Sequence, residues 1–132
     1  MILVDTSVLL DVMVNDPVWG SRSQLALDTS SVMDILAIND VIYAELSVRY
    51  PTIESFERVL AIIPVRRETI PSSALFLAAK AHQAYRRRGG TKTGVLSDFF
   101  IGAHAAVTGA DLLTRDPARV QTYFPSVQIL AP

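Results

Sequence analysis

The chain has 132 residues, half of them hydrophobic, which predicts one compact domain over residues 1–132 and leaves no room for a second. It contains no cysteine, which excludes disulfides, thiolate metal sites and cysteine nucleophiles, and which fits the reducing cytoplasm. The net charge of −1 argues against binding nucleic acid by bulk attraction, and no apolar run reaches the roughly 18 residues needed to cross a membrane.

Hydrophobic periodicity and turn residues divide the chain into alternating strands and helices. In chain order they predict a strand at residues 2–4, a helix after Asp5, a helix over about residues 18–32, a strand at 35–38, a helix after Asn39 or Asp40, a helix over about 53–60, a strand at 62–65, a helix over 71–88, a helix after Ser97, a strand at 112–114, a helix after Asp116 and a strand at 127–130. Because strands and helices alternate, we expect a three-layer α/β fold with a mainly parallel sheet covered on both faces.

Polar residues mark the starts of several predicted helices. Thr6 and Ser7 can cap the first helix, and Ser97 can cap the helix that follows it. Asp116 precedes Pro117, and proline fits the first helical position, so the aspartate is expected to be an N-cap. These local roles are the ordinary alternative to a chemical role for the same residues.

Two acids come directly after strands of the predicted core, Asp5 after the first and Asp116 after the fourth. Ligands of open α/β sheets collect outside the carboxyl ends of the strands, so both side chains are expected at that edge. Two carboxylates about 4 Å apart repel by about 4 kcal/mol at an effective dielectric of 20, so a cation or a proton must compensate. An all-oxygen site without His or Cys favours Mg2+ or Mn2+ over Zn2+.

Two further acids are candidates for the same site. Asp98 stands between Leu96 and Phe99 at a helix start, where an acid also interacts favourably with the helix dipole. Glu45 lies among mainly apolar residues of a helix, where a solvated side chain is the simple alternative. The local context of each residue leaves both alternatives open.

Four phrases, LVDTSVLLD, INDVIYAEL, LSDFFIGAHA and LLTRDPARV, follow one another between residues 3 and 120. Their order and spacing resemble the PIN-domain ribonucleases, specifically the VapC-type toxins of bacterial toxin–antitoxin pairs, over nearly the whole chain. By position, the acids of that family fall on Asp5, Glu45, Asp98 and Asp116. The hydroxyl residues that order the family's site fall on Thr6 or Ser7 and on Thr114, and Asn39 stands where many relatives have serine or threonine.

The resemblance implies a sheet of four or five parallel strands and an endonuclease whose four acids hold Mg2+ or Mn2+ while an activated water cuts RNA. By the same resemblance, Thr6, Ser7, Asn39 and Thr114 are expected to be the supporting residues of that site. The resemblance also implies a homodimer and a cognate VapB-type antitoxin that lies across apolar helices near the cleft and places a basic side chain among the acids. DNA is then contacted only through the antitoxin.

Basic residues are concentrated in the later part of the chain. Residues 1–48 contain seven acids and one base, whereas residues 49–132 contain six acids and eleven bases. A basic segment beside Gly89 and Gly90 comprises Arg86, Arg87, Arg88 and Lys92. We expect this segment to contact RNA phosphate, because an acidic site needs a positive surface nearby, although a solvated helix terminus explains the same charges.

Three functions from different classes remain after the sequence is read, and the ribonuclease toxin leads. A phosphatase with an aspartate nucleophile is disfavoured, because VDTSV lacks a second aspartate two positions after the first. A catalytically inactive module that binds RNA or a partner is the third. His82 and His104 are interpreted as a helix-face residue and a packed residue, and Trp19 and Leu25 are expected to face the core.

Overall fold

The computed structural model describes residues 1–132, and its strands and helices alternate as the sequence predicts. The five strands are β1 Ile2–Val4, β2 Leu36–Asn39, β3 Val65–Glu68, β4 Asp111–Leu113 and β5 Ile129–Leu130. The seven helices are α1 Thr6–Met13, α2 Gly20–Met33, α3 Asp40–Ser47, α4 Ile53–Leu60, α5 Ser72–Arg87, α6 Leu96–Thr108 and α7 Ala118–Tyr123. None of these helices is both long enough and apolar enough to span a lipid bilayer.

The strands form one parallel sheet in the order β3-β2-β1-β4-β5, which confirms the predicted α/β class with helices flanking the sheet. The chain builds outwards from β1 through β2 to β3, and then returns to place β4 on the other side of β1. Val4 at the end of β1 pairs with Leu113 at the end of β4. The residues that follow these strands therefore lie side by side at the switch point of the topology, where open α/β sheets bind ligands.

The core is built around β1, whose three residues are at most 1% exposed. A parallel strand covered on both faces must be apolar throughout, which is why a continuous apolar run predicted it. Helix α6 packs against α5 and α7, and its Phe99 is fully buried. At Gly102 an added Cβ would lie 2.5 Å from the ring of Phe124, so the glycine permits the close approach of the segment that follows α7. The helix that carries Asp98 is thus firmly placed.

The outer strands differ from the sequence prediction in position and length. The third strand was expected at residues 62–65 and lies at Val65–Glu68, while Ile62 is 81% exposed. β3 is an edge strand that pairs only with β2, and its charged residues protect the edge from further pairing. Because these residues are charged, a search for hydrophobic runs does not find the strand. The last strand, expected at 127–130, is limited to Ile129–Leu130.

Helix α2 turns a different face to the core than the sequence predicted. Leu25, expected inside, is 67% exposed, and Trp19 is only half-buried just before the helix. The inward face carries Ser23 and Leu27 instead. A serine can occupy this face because its hydroxyl donates a 2.7 Å hydrogen bond to the buried carboxylate of Asp11. The prediction was wrong because hydrophobicity alone does not register a buried polar pair.

Candidate active site

Asp5 is the first residue after β1, at the switch point of the sheet. Its Oδ1 accepts a 2.9 Å hydrogen bond from the Thr6 backbone N–H, so Asp5 itself, and not Thr6 or Ser7, is the N-cap of α1. Its Oδ2 accepts hydrogen bonds from the hydroxyls of Ser7 at 2.9 Å and Thr114 at 2.8 Å. Three donors from two segments therefore fix the direction of this carboxylate. The donors are neutral and leave its charge uncompensated.

Thr114 follows β4 and connects two of the candidate acids. While its Oγ1 donates to Asp5, the same oxygen accepts a 3.0 Å hydrogen bond from the backbone N–H of Asp116. The sequence predicted Asp116 as the N-cap of α7, and the structure corrects this. Pro117 holds the N-cap position without any side-chain cap, and Asp116 instead lines the cleft beside Asp5. Thr114 thus bonds the backbone of Asp116, and the Asp116 carboxylate does not cap α7.

Glu45 lies on α3 and is joined to the site by a threonine. Thr6, whose N–H is bound to Asp5, donates its hydroxyl to Glu45 Oε1 at 2.7 Å. Helix α3 begins where predicted because Asn39 Oδ1 accepts from the Ile42 N–H at 3.0 Å. Asn39 makes no hydrogen bond to an acid. It positions the helix that carries Glu45, and its Nδ2 lies 3.1 Å from Nδ1 of His104 on α6.

His104 is 1% exposed and is packed inside, as the sequence interpretation expected. Since Asn39 Oδ1 is already an acceptor, its Nδ2 donates to His104 Nδ1 and the imidazole is neutral. Burial lowers the pKa of His104 below its ordinary value of 6.5, and the charge of Glu68 opposes this only in part.

A pH dependence of stability follows from this buried imidazole. Below pH 6.5 His104 is protonated in the unfolded chain, whereas in the folded chain it stays neutral until the pH reaches its lower pKa. The contribution of neutral His104 to the free energy of unfolding is therefore complete above pH 6.5 and is lost as the pH falls. As the pH is lowered, we expect the free energy of unfolding to decrease more steeply in the wild type than in His104→Gln. The difference between the two slopes is at most about 1.4 kcal/mol per pH unit. Urea unfolding at pH 7.5, 6.5 and 5.5 measures the difference; parallel slopes would contradict it.

Asp98 lies in the first turn of α6, which begins at Leu96 with Val95 as N-cap, so Ser97 is inside the helix and does not cap it. No side chain, Asp98 included, makes a capping hydrogen bond at the start of this helix. Oδ2 of Asp98 accepts a 2.6 Å hydrogen bond from Nη1 of Arg119 on α7. The sequence interpretation did not include this arginine, whose partner lies 21 positions away.

The four acids share one electrostatic environment. Burial raises the pKa of Glu45, and the negative charges of Asp5 and Asp98 raise it further, against the hydroxyls of Thr6 and Ser97. Burial also raises the pKa of Asp98, the hydrogen bond from Arg119 lowers it, and the charges of Asp5 and Asp116 raise it again. The charges of neighbouring acids thus contribute to the raised pKa of Glu45 and of Asp98, which places these side chains close together and favours binding of a cation.

The donor set fits a hard divalent ion. Asp5, Asp98, Asp116 and Arg119 line a cavity of about 10 Å³, close to the minimum for one water molecule. Carboxylate oxygens without nitrogen or sulfur ligands suit Mg2+ or Mn2+. The side chains as they stand do not form a finished coordination shell, because Asp98 is hydrogen-bonded to Arg119 and would have to turn from it to join Asp5 and Asp116 at an ion.

A second charged pair, missed in the sequence, supports the loop that carries Thr114 and Asp116. Arg115 Nε lies 3.0 Å from Oδ2 of Asp11, a residue that is only 2% exposed. The guanidinium also lies 5.0 Å from the centre of the Trp19 ring. The pair ties α1 to the turn after β4. The two residues lie in the phrases LVDTSVLLD and LLTRDPARV, and only the parallel pairing of β1 and β4 brings them together.

Asp11→Ala is expected to reduce the free energy of unfolding by about 3 kcal/mol, because it leaves Arg115 and the buried Ser23 hydroxyl without their partner. Asp28→Ala is the control. Asp28 is exposed and its side chain accepts a hydrogen bond only from Gln24 on its own helix, so its removal should change stability by no more than about 0.5 kcal/mol. Denaturant unfolding compares them. Equal costs for the two variants would show that the pair does not anchor the loop.

The basic segment lies at the end of α5 and in the loop after it, and all four of its residues are exposed. Helix α5 stops as predicted at Gly89, which has a φ of 83°. The guanidinium of Arg88 lies 5.5 Å from the ring centre of Tyr123 on α7, the helix that also carries Arg119. None of the acids forms an ion pair with this segment. Its charge is therefore available on the surface near α7.

Comparison with known proteins gives a consistent result. A family model described as "PIN domain" matches residues 2–124. No curated protein matches the chain by sequence. The chain is similar to solved structures of VapBC2 from Rickettsia felis bound to a DNA fragment from their promoter (TM-score 0.75, 17% identity, 99% of this chain and 98% of that chain covered) and VapBC-1 from nontypeable Haemophilus influenzae (0.75, 19%, 99% and 98%). A third is FitAcB from Neisseria gonorrhoeae, with a TM-score of 0.71, 20% identity and coverage of 98% and 96%.

Proposed function

This chain belongs to the PIN domain family, and we propose that it is an Mg2+- or Mn2+-dependent endoribonuclease acting as the toxin of a toxin–antitoxin pair. Cleavage of RNA would arrest translation and growth. The observation that carries the proposal is the meeting of acids from four separate segments at one edge of the sheet, three of them around one small cavity and the fourth joined through Thr6.

Each residue has a task that follows from its contacts. When bound, the ion would lower the pKa of a water molecule and neutralise charge that grows on phosphorus. Asp5, Asp98 and Asp116 would hold the ion, since all three line the cavity. Glu45 bonds Thr6 through one oxygen, and its raised pKa suits it to take up the proton released from the water. Thr6, Ser7 and Thr114 keep the carboxylates directed into the cleft.

The partner of this toxin would be a cognate VapB-type antitoxin. The similar solved structures from Rickettsia felis and Haemophilus influenzae are described as VapBC, and the former is bound to a promoter fragment. An antitoxin segment would lie across apolar helices near the cleft and bring a basic side chain to the acids. This chain would contact DNA only through the antitoxin, form a homodimer and act in the cytoplasm.

RNA would approach the acids over positive surface. The basic segment of Arg86, Arg87, Arg88 and Lys92 is exposed and reaches α7 through the stacking of Arg88 on Tyr123. Basic side chains bind phosphate without reading the sequence, so this surface supplies affinity and leaves specificity to the shape of the cleft.

A cleavage assay tests the proposal. The purified chain is incubated with RNA and with a small phosphate ester, each with Mn2+ and with EDTA. We expect Mn2+-dependent cleavage of RNA, loss of that cleavage in EDTA, and no turnover of the ester. Turnover of the ester would indicate a different phosphoryl-transfer enzyme. Inertness on both substrates with Mn2+ present would indicate a binding module and overturn the proposal.

A further inference from the structure

Arg119 is the one basic residue whose side chain enters the acid cleft. Its Nη1 lies 2.6 Å from Asp98 Oδ2, and the side chain is 21% exposed. On the other side, its Cζ lies 5.6 Å from the centre of the Tyr85 ring. The arginine is held between a carboxylate and an aromatic face, so its position in the cleft is well defined.

A guanidinium and a divalent ion would compete for the same carboxylate. Arg119 lines the cavity of about 10 Å³ that Asp5, Asp98 and Asp116 also line. Arginine keeps its charge at any pH at which the protein folds, so it cannot withdraw by losing a proton. Two cations within a few ångströms of each other repel strongly in a half-buried site. An ion that uses Asp98 must therefore displace the arginine or bind against its charge.

We infer that Arg119 is an internal counter-ion of the cleft, which weakens divalent-metal binding by holding Asp98 and by repelling the ion. The inference rests on the proposed function, because it requires that the cleft bind a divalent ion. Without metal, Arg119 offsets part of the repulsion among the acids. When metal binds, the displaced guanidinium can keep a cation–π contact with the ring of Tyr85 beside the cleft. Arg119 is thus a residue that sets metal affinity.

Titration of the full chain with Mn2+ by calorimetry tests the inference without reference to cleavage. Arg119→Gln keeps most of the stem and removes the charge, and we expect it to bind Mn2+ at least about tenfold more tightly than the wild type. Arg119→Lys keeps the charge and should bind Mn2+ within about threefold of the wild type. Arg119→Met is a second charge-free variant, with the same expected gain, should the glutamine variant fold poorly.

Arg88→Ala is the matched control. Arg88 also stacks on a tyrosine of this region, but it has no ion pair with an acid, so its removal should leave Mn2+ affinity unchanged. Equal gains for Arg88→Ala and Arg119→Gln would overturn the inference, because the effect would then be one of total charge. Unchanged or weaker binding by both charge-free Arg119 variants would also overturn it.

Asp98→Asn separates this inference from the proposed function. Suppose that the wild type binds Mn2+ and that Asp98→Asn does not. If the charge-free Arg119 variants then bind Mn2+ no more tightly than the wild type, only the inference fails. If neither the wild type nor the charge-free Arg119 variants bind Mn2+ at millimolar concentration, the proposed metal-dependent function fails and takes the inference with it.

Discussion

Asp98→Asn reduces Mn2+-dependent RNA cleavage by at least about a hundredfold, which is the largest change in activity that the site predicts. The substitution keeps the shape of the side chain and removes one of the three carboxylates around the cavity. Changes in residues that merely support metal ligands typically cost 10- to 100-fold in affinity or activity, and loss of a direct ligand costs at least as much. Cleavage of a labelled RNA under single-turnover conditions measures the effect, and expression of the variant in cells should no longer arrest growth.

Asp111→Asn is the matched control for that substitution. Asp111 is the first residue of β4, whereas the acids lie beyond the carboxyl ends of the strands. It is therefore at the opposite edge of the sheet. Asp111→Asn should cleave RNA within about twofold of the wild type. Both variants should retain the helical circular dichroism of the wild type. Full activity of folded Asp98→Asn would remove this residue from the mechanism.

Thr114→Val has the second largest expected effect, a loss of about 10- to 100-fold in Mn2+ affinity and in cleavage rate. Valine has nearly the same shape, but it cannot donate to Asp5 or accept from the N–H of Asp116. Two of the acids therefore lose their common positioning group. The partly buried N–H of Asp116 also loses its hydrogen-bond acceptor, which costs about 1 kcal/mol of stability that denaturant unfolding measures.

Thr108→Val is the control for the threonine. Its hydroxyl donates to the carbonyl of His104 in its own helix and contacts no acid. Its Mn2+ affinity and cleavage rate should match those of the wild type. Equal losses in the two threonine variants, or full activity of Thr114→Val, would show that Thr114 does not order the site.

The class of the fold was predictable because local patterns determine it. The continuous apolar run of β1, the glycine after α5 and the asparagine at the start of α3 each belong to one short segment. Where the predictions were wrong, the position of the segment in the folded chain decided the outcome. Leu25 faces solvent because the face of α2 that carries Ser23 bonds Asp11, and β3 is displaced because an edge strand carries charge.

The candidate acids were found from sequence, whereas the groups that orient and oppose them were found only in the structure. Asp116 has an ordinary role as an N-cap in the sequence, and only the structure places it among the residues that line the cleft. Arg119 lies in LLTRDPARV, but nothing in that phrase indicates that it reaches Asp98 on another helix. Such contacts depend on topology, which a local pattern does not contain.

The most direct test of the account is a crystal of the full chain soaked in Mn2+, with anomalous diffraction recorded at the manganese edge. We expect a peak in the cavity between Asp5, Asp98 and Asp116, with carboxylate oxygens about 2.0–2.3 Å from the ion and Arg119 withdrawn from Asp98. A cleft without anomalous density at millimolar Mn2+, or acids that point to different sides of the molecule, would contradict the central claim that these side chains together bind a catalytic ion.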